Sequence, residues 1–231
     1  MPSRLTRELA ELRSRLLDMA TIVAEQFTDA VDALLDHDVE RANRVVERDK
    51  EVDALELEVD GYCERILARH QPVATDLRTL LTVEKINTDL ERIGDHCRNV
   101  ARNAEYVTEA PGILDVLKLR EMSETARRML DDAKQAFLDQ DAELARRIPS
   151  LDDEVDRLHR ENFTALVDYI QQHPEHAEVA AHLITASKAV ERISDHSTNI
   201  AKGVVFLIEG EDIRHASIQE ETPSGDGRPR S

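Results

Sequence analysis

The sequence predicts an all-α protein, six helices forming two pseudo-repeated antiparallel three-helix bundles. Three observations carry this expectation. Aromatic residues make up only 3% of the chain, with no Trp and 7 Gly, while Leu, Ala, Glu, Asp and Arg abound. Such unbranched side chains lose little rotamer freedom in a helix. Apolar residues recur at helical spacing through almost the whole length. The same three-helix pattern is also written twice, which is the mark of an internal repeat.

The first helix is expected over 3–36, with Leu5, Leu9, Leu12, Leu16, Met19, Val23 and Phe27 on one stripe. The second covers 38–69, using Val45, Val52, Leu55, Val59, Tyr62 and Ile66. In "HQPV" Pro72 drives its predecessor out of the α region and breaks the pattern. The third covers 74–106, striped by Val83, Ile86, Leu90, Ile93, Cys97 and Val100. "TEAPG" at 108–112 is the strong internal break, where the halves should meet. Helices four, five and six follow over 113–138, 141–172 and 175–208. Pro149 lies inside the fifth and should kink it or start it there. The expected division is a first bundle over 1–107, a second over 113–209, and a flexible C-terminal tail over 210–231.

The repeat is in register. A shift of 103 residues lays "LLDHDVERANR" (from Leu34) on "FLDQDAELARR" (from Phe137), and "DKEVDAL" (from Asp49) on "DDEVDRL" (from Asp152). Beyond the proline turns the shift becomes 100, aligning "NTDLERIGDHCRNVARN" (87–103) with "SKAVERISDHSTNIAKG" (187–203). Short turns make successive helices antiparallel neighbours.

Composition also excludes functions. A net charge of −18 disfavours nucleic acid and anionic lipid, both of which need Lys and Arg against phosphate. The amphipathic, charged start is no signal peptide, and the apolar run "VVFLI" is far short of a membrane span, so no direct membrane insertion is expected. Cys63 and Cys97 lack CxxC spacing and suit a reducing cytosol, not a disulfide framework or a zinc site.

The repeated residues are mostly polar, which core packing does not require. Each half holds two acidic pairs at i, i+4, Asp49/Asp53 with Glu91/Asp95 and Asp152/Asp156 with Glu191/Asp195. Residues four apart share a helix face. Within each half the two pairs lie equally far from the intervening turn, so an antiparallel hairpin brings four carboxylates to one height. At about 100° per residue, Glu91 and Asp95 fall nearly opposite their apolar stripe, so these acids face outward or line the groove between helices two and three. Like charges at this spacing destabilise a helix slightly. A solvated acidic face would explain one such pair, but four, level and duplicated, call for a cation. An oxygen-only donor set suits hard ions (iron, Mn²⁺, Mg²⁺ or Ca²⁺). Asn99 and Asn199 continue the same column and could add oxygens. His96 and His196 point about 100° away, as interhelix hydrogen-bonders more than ligands. Gly94 and Ser194 mark a position that wants a small residue for close helix approach.

On these residues, two bundles each with "ERIGD" or "ERISD", then Asn-[Val/Ile]-Ala, and a DxxxD partner, the chain resembles the PhoU family of bacterial phosphate-signalling regulators over about residues 1–210. The resemblance implies a cytoplasmic protein without catalytic activity that binds multinuclear metal clusters through these motifs. It implies repression of phosphate-starvation genes by linking the ATPase subunit of a phosphate ABC transporter to a sensor histidine kinase, with a homodimer as the expected assembly. Residue by residue, Asp49, Asp53, Glu91 and Asp95 match one metal site, and Asp152, Asp156, Glu191 and Asp195 the other. Two departures stand out: Ser194 replaces the family's usual glycine, and Pro149 should distort the second site. Two rival readings remain. One is a metal-free helical scaffold with an acidic surface. The other is a di-metal carboxylate enzyme, although that chemistry wants Glu-x-x-His on two helices, and the nearest approach here, Asp156-x-x-His159, has Glu56 in place of His in the first half.

Overall fold

The computed structural model describes residues 3–210 and is helical, with no strand among them. α1 (Arg4–Leu35) opens on Ser3, whose side chain accepts from the Thr6 N–H. α2 (Val39–His70) and α3 (Thr75–Arg102) complete the first bundle. A single turn, α4 (Ala104–Val107), and a 3₁₀ segment (Pro111–Val116) lead to α5 (Leu119–Asp139). The second bundle continues with α6 (Ala142–Arg147), α7 (Pro149–Gln172), a 3₁₀ turn (Pro174–His176) and α8 (Ala177–Glu209). Gly210, left-handed at φ 76°, closes α8 by donating to the Phe206 carbonyl, the usual use of glycine after a helix.

The repeat is visible in its turns. His37 and Gln140 both adopt left-handed φ (58° and 54°), and each precedes an Asp that caps the next helix. Asp38 accepts from Arg41 N at 2.8 Å, and Asp141 from Leu144 N at 2.9 Å. Side-chain oxygens satisfy otherwise orphaned N–H groups there, each cap contributing about 1 kcal/mol.

Four boundaries differ from the sequence expectation. The third helix stops at Arg102 rather than 106, because Asn103 turns its amide back to the Asn99 carbonyl at 2.6 Å, the competition an Asn side chain offers to a helix. The fourth helix starts at Leu119 rather than 113, since Leu117 is extended and the Lys118 N–H is taken by Asn162 Oδ1 at 2.7 Å. The fifth is two helices, with Pro149 in the first turn of α7, where a missing N–H is harmless. The sixth begins at Ala177, after the 3₁₀ turn. All but the first residue of the tail expected over 210–231 lies outside the described residues.

Within the first bundle α1, α2 and α3 pack on one another, and within the second α5, α7 and α8 do so. The halves meet along their whole length and not only at 108–112, for the largest helix–helix contact is α3 on α8, with α1 on α5 beside it. These central helices run antiparallel: His196 Nδ1 pairs with Asp89 Oδ1 at 2.8 Å, and His182 Nδ1 with Asn103 Oδ1 at 2.9 Å. The His96 and His196 rings stack at the middle of the seam, 5.7 Å apart. One hydrophobic core therefore runs through both halves, including Phe27, Ile66, Ile93, Met122 and Leu183, none more than 1% exposed. Full burial of side chains this size stabilises by roughly 1.5–3 kcal/mol each. The two helices that carry Glu-Arg-Ile-x-Asp are thus the best anchored in the fold. No helix among the described residues is long and apolar enough to cross a membrane.

Candidate functional site

α3 and α8 bury one flank in the seam and present the opposite flank to α2 and α7. In the first bundle, contacts run outward from the 70–75 turn in antiparallel register. Asn87 donates to the Glu56 carbonyl (3.0 Å) and Asp60 (2.9 Å), and further along Arg98 bonds Asp49. In the second, His159 Nδ1 meets Ser187 Oγ at 2.9 Å. This register brings Asp49 and Asp53 of α2 to the height of Glu91 and Asp95 of α3, and Asp152 and Asp156 of α7 to the height of Glu191 and Asp195 of α8.

Their electrostatics show the proximity. Burial pushes the Asp49 carboxyl above its usual range, Arg98 pulls it part-way back, and the Asp53 and Asp95 charges raise it further. Glu91 moves up for the same leading reason, with Asp95, Glu56 and Asp53 adding to it. Burial likewise raises Asp152. Ser194, facing it from α8, offsets part of that rise, while Asp195, Asp156 and Glu191 add to it. Asp195 is raised by burial and then by Glu191. Every one of the eight acids is coupled to others of its own cluster. The expectation that they face outward or line the groove divides between them: Asp53 is exposed, and the other seven are buried or half-buried along the groove. The Asp49 side chain is 4% exposed and Glu191 12%, whereas Asp95 and Asp195 sit nearer the rim at 41% and 38%.

Small residues make this groove shallow enough to share. A Cβ on Gly94 would lie 3.2 Å from Val52 Cγ1 and 3.5 Å from Asp49 Oδ1, so α2 can approach α3 closely only over a small side chain. In the other bundle Ser194, fully buried, fills the equivalent place. Pro149 does not scatter the second set. It puts Asp152 in the first turn of α7, where the helix dipole favours a negative charge.

Some expected partners lie elsewhere. Asn99 and Asn199 border clefts on the α3–α8 seam, the first beside His96 and Thr185, the second beside Thr82 and Lys85. His96 and His196 are seam residues, as their direction predicted, and burial holds His96 down to about 4. Arg192 pairs with Asp195 at 3.2 Å.

Two features escaped the sequence reading. Arg98 bridges Asp49 and Asp95, the latter at 2.6 Å, so a guanidinium stands inside the first cluster. Its signal was available, because position 98 is Arg in one copy and Thr198 in the other. The second feature is a donor set at the α7–α8 turn. Among the described residues, only His173, Glu175 and His176 bring three donor groups within 4.8 Å of one another. The predicted carboxylates do not converge so tightly, and an ion would have to draw them together.

Comparison with known proteins agrees with this architecture. The PhoU domain model matches residues 16–104 and again 119–204, once per bundle. A phosphate-specific transport system accessory protein PhoU homolog of Pseudomonas putida is 37% identical over 95% of this chain and 86% of its own length. The crystal structure of PhoU from Pseudomonas aeruginosa superposes with a TM-score of 0.85 at 37% identity, covering 90% of this chain and all of that one. The phosphate transport system regulatory protein PhoU from Streptococcus pneumoniae gives a TM-score of 0.82 at 25% identity, covering 91% and 99%. These relatives are named as accessory or regulatory proteins and not as enzymes. With both halves matched and nearly the full length shared, the chain belongs to the PhoU family.

Proposed function

We propose that this protein is a negative regulator of the phosphate-starvation response and a modulator of phosphate uptake. In this reading it works without catalysis, as a metal-binding adaptor between a phosphate ABC transporter, through its ATPase subunit, and a sensor histidine kinase. The support comes from relatives named for the phosphate-specific transport system and from one structural observation. Each bundle gathers four carboxylates at one height in a groove, and burial there raises the carboxyls of Asp49 and Glu91 in the first and of Asp152 and Asp195 in the second.

Residues of this kind fit a hard cation. The donors are all oxygen, and Asp152 Oδ1 is buried without a hydrogen-bond partner. Ionised carboxylates crowded in a half-buried groove are destabilising unless positive charge compensates them. Asp49, Asp53, Glu91 and Asp95 would hold ions in the first bundle, and Asp152, Asp156, Glu191 and Asp195 in the second. The ions would supply fixed positive charge on an otherwise acidic surface. With ions bound, these grooves can bridge to acidic or phosphorylated partners, and without them they repel such partners. We place the protein in the cytoplasm as a homodimer.

Deletion of the gene should raise phosphate-uptake gene expression in phosphate-rich medium. Replacing Glu91, Asp95, Glu191 and Asp195 together should reproduce the deletion. Normal repression by a stably expressed quadruple variant would detach the grooves from signalling. A pull-down from phosphate-replete cells should recover a histidine kinase and an ABC ATPase, and light scattering tests the dimer.

A further inference from the structure

The two carboxylate grooves are copies in sequence but not in charge. In the first, Arg98 reaches from α3 across to α2, bonding Asp49 through one nitrogen and Asp95, at 2.6 Å, through the other. The guanidinium is held between helices, with Asp49 4% exposed and Arg98 itself 27% exposed. In the second groove the equivalent residue is Thr198, 5% exposed, with a buried hydroxyl that has no partner. Asp152, the counterpart of Asp49, keeps a buried oxygen without a hydrogen-bond partner.

Cations do stand near the second groove, but they differ in kind. Lys188 on Glu191 (2.5 Å) and Arg192 on Asp195 (3.2 Å) are pairs within α8, and Arg160 on Asp156 (4.0 Å) is one within α7. These three are 43%, 52% and 70% exposed and sit at the rim. None spans α7 and α8 as Arg98 spans α2 and α3. Exposed pairs along one helix contribute little and yield easily, whereas an arginine that bridges a buried carboxylate on one helix to a second carboxylate on the next does not.

We infer that Arg98 is a resident cation that competes with metal in the first bundle, so that the two grooves bind metal unequally and load in order, the second bundle first. The inference rests on the metal-binding reading above and adds a regulatory asymmetry to it. At low metal the protein would carry one neutralised bundle and one self-paired bundle. Full loading would require Arg98 to swing out, freeing its guanidinium at the groove for an anionic group on a partner.

The test is a titration of the full-length, metal-stripped protein with Mn²⁺, counting free ion by its paramagnetic resonance signal. Wild type should show a tight class, removed by Asp195→Asn, and a class weaker by about tenfold or more, removed by Asp95→Asn, a gap on the scale of one hydrogen bond between charged groups. Arg98→Thr should strengthen the weak class to meet the tight one. Thr198→Arg should weaken the tight class, which keeps the test valid if Arg98→Thr folds poorly. Equal classes in wild type, or a weak class unmoved by Arg98→Thr, would overturn the inference while leaving metal binding intact. Absence of Mn²⁺ binding in wild type and in Arg98→Thr alike would overturn the metal reading itself and this inference with it.

Discussion

Enlarging Gly94 should wedge α2 from α3 at the floor of the first groove. Its hypothetical Cβ already lies 3.2 Å from Val52 Cγ1, and Val52 is fully buried, so the wall has no free space to retreat into. Serine is the mild case, since Ser194 occupies the matching place in the other bundle. Relative to Gly it gains about 0.5 kcal/mol of helix propensity, roughly offsetting the tight contact. Gly94→Leu adds three further carbons against Val52, Asp49 and Gln26, and overpacking of this sort destabilises by about 1–3 kcal/mol. Leucine regains about 0.8 kcal/mol of helix propensity over glycine, which leaves a net loss of up to about 2 kcal/mol; at roughly 2–4 °C per kcal/mol for a chain of this size, Gly94→Leu should melt up to about 8 °C below wild type. Far-UV circular dichroism melts of metal-stripped wild type, Gly94→Ser and Gly94→Leu supply the comparison. A Leu variant as stable as wild type would refute the claim that helix approach is what keeps this position small.

Other expectations follow from the same geometry. Asp38→Ala and Asp141→Ala should each lose about 1 kcal/mol in urea denaturation, and the double variant should lose their sum, because the caps are distant copies of one device. Burial pushes the Cys63 thiol up to about 12, with Glu84 and Asp60 adding to it, and Cys97 moves the same way. Both should resist alkylation in the native protein and react once it unfolds. Because the folded thiol keeps its proton where the unfolded one ionises, stability should fall as pH rises above the ordinary value of 9.0 toward 12, and Cys63→Ala should flatten that fall. Chelation should lower the melting temperature of metal-loaded protein, since ions at about 100 times their Kd add roughly 2.7 kcal/mol.

Much of this molecule was legible in its sequence because helices report themselves locally. The stripes from Leu5 to Phe27 and from Val83 to Val100 needed only a 3.6-residue period, and the repeat fixed how the halves correspond. Equal distance from a proline turn was enough to put Asp49 beside Asp95 and Asp152 beside Asp195. The errors fell where a distant side chain decides a local matter. Asn162 holds Lys118 out of the helix, and nothing near residue 118 announces it. Asn103 ends α3 partly because His182, far along the chain, takes its other end. The seam between α3 and α8 was missed for a related reason, since periodicity shows that a helix has a buried face but not what covers it. Arg98 is different, for the Arg-to-Thr change was visible in the aligned copies. Its reach across to Asp49 was not, because a long side chain has many rotamers and the choice is made in three dimensions.

If the eight groove carboxylates hold metal, elemental analysis should register it. Protein purified anaerobically without chelators should contain stoichiometric iron, manganese, magnesium or calcium. The Glu91, Asp95, Glu191 and Asp195 quadruple variant, with amides in place of the carboxylates and helicity unchanged, should lose most of it. Wild type with only trace metal, or a quadruple variant that retains the full amount, would show that these carboxylates do not hold it.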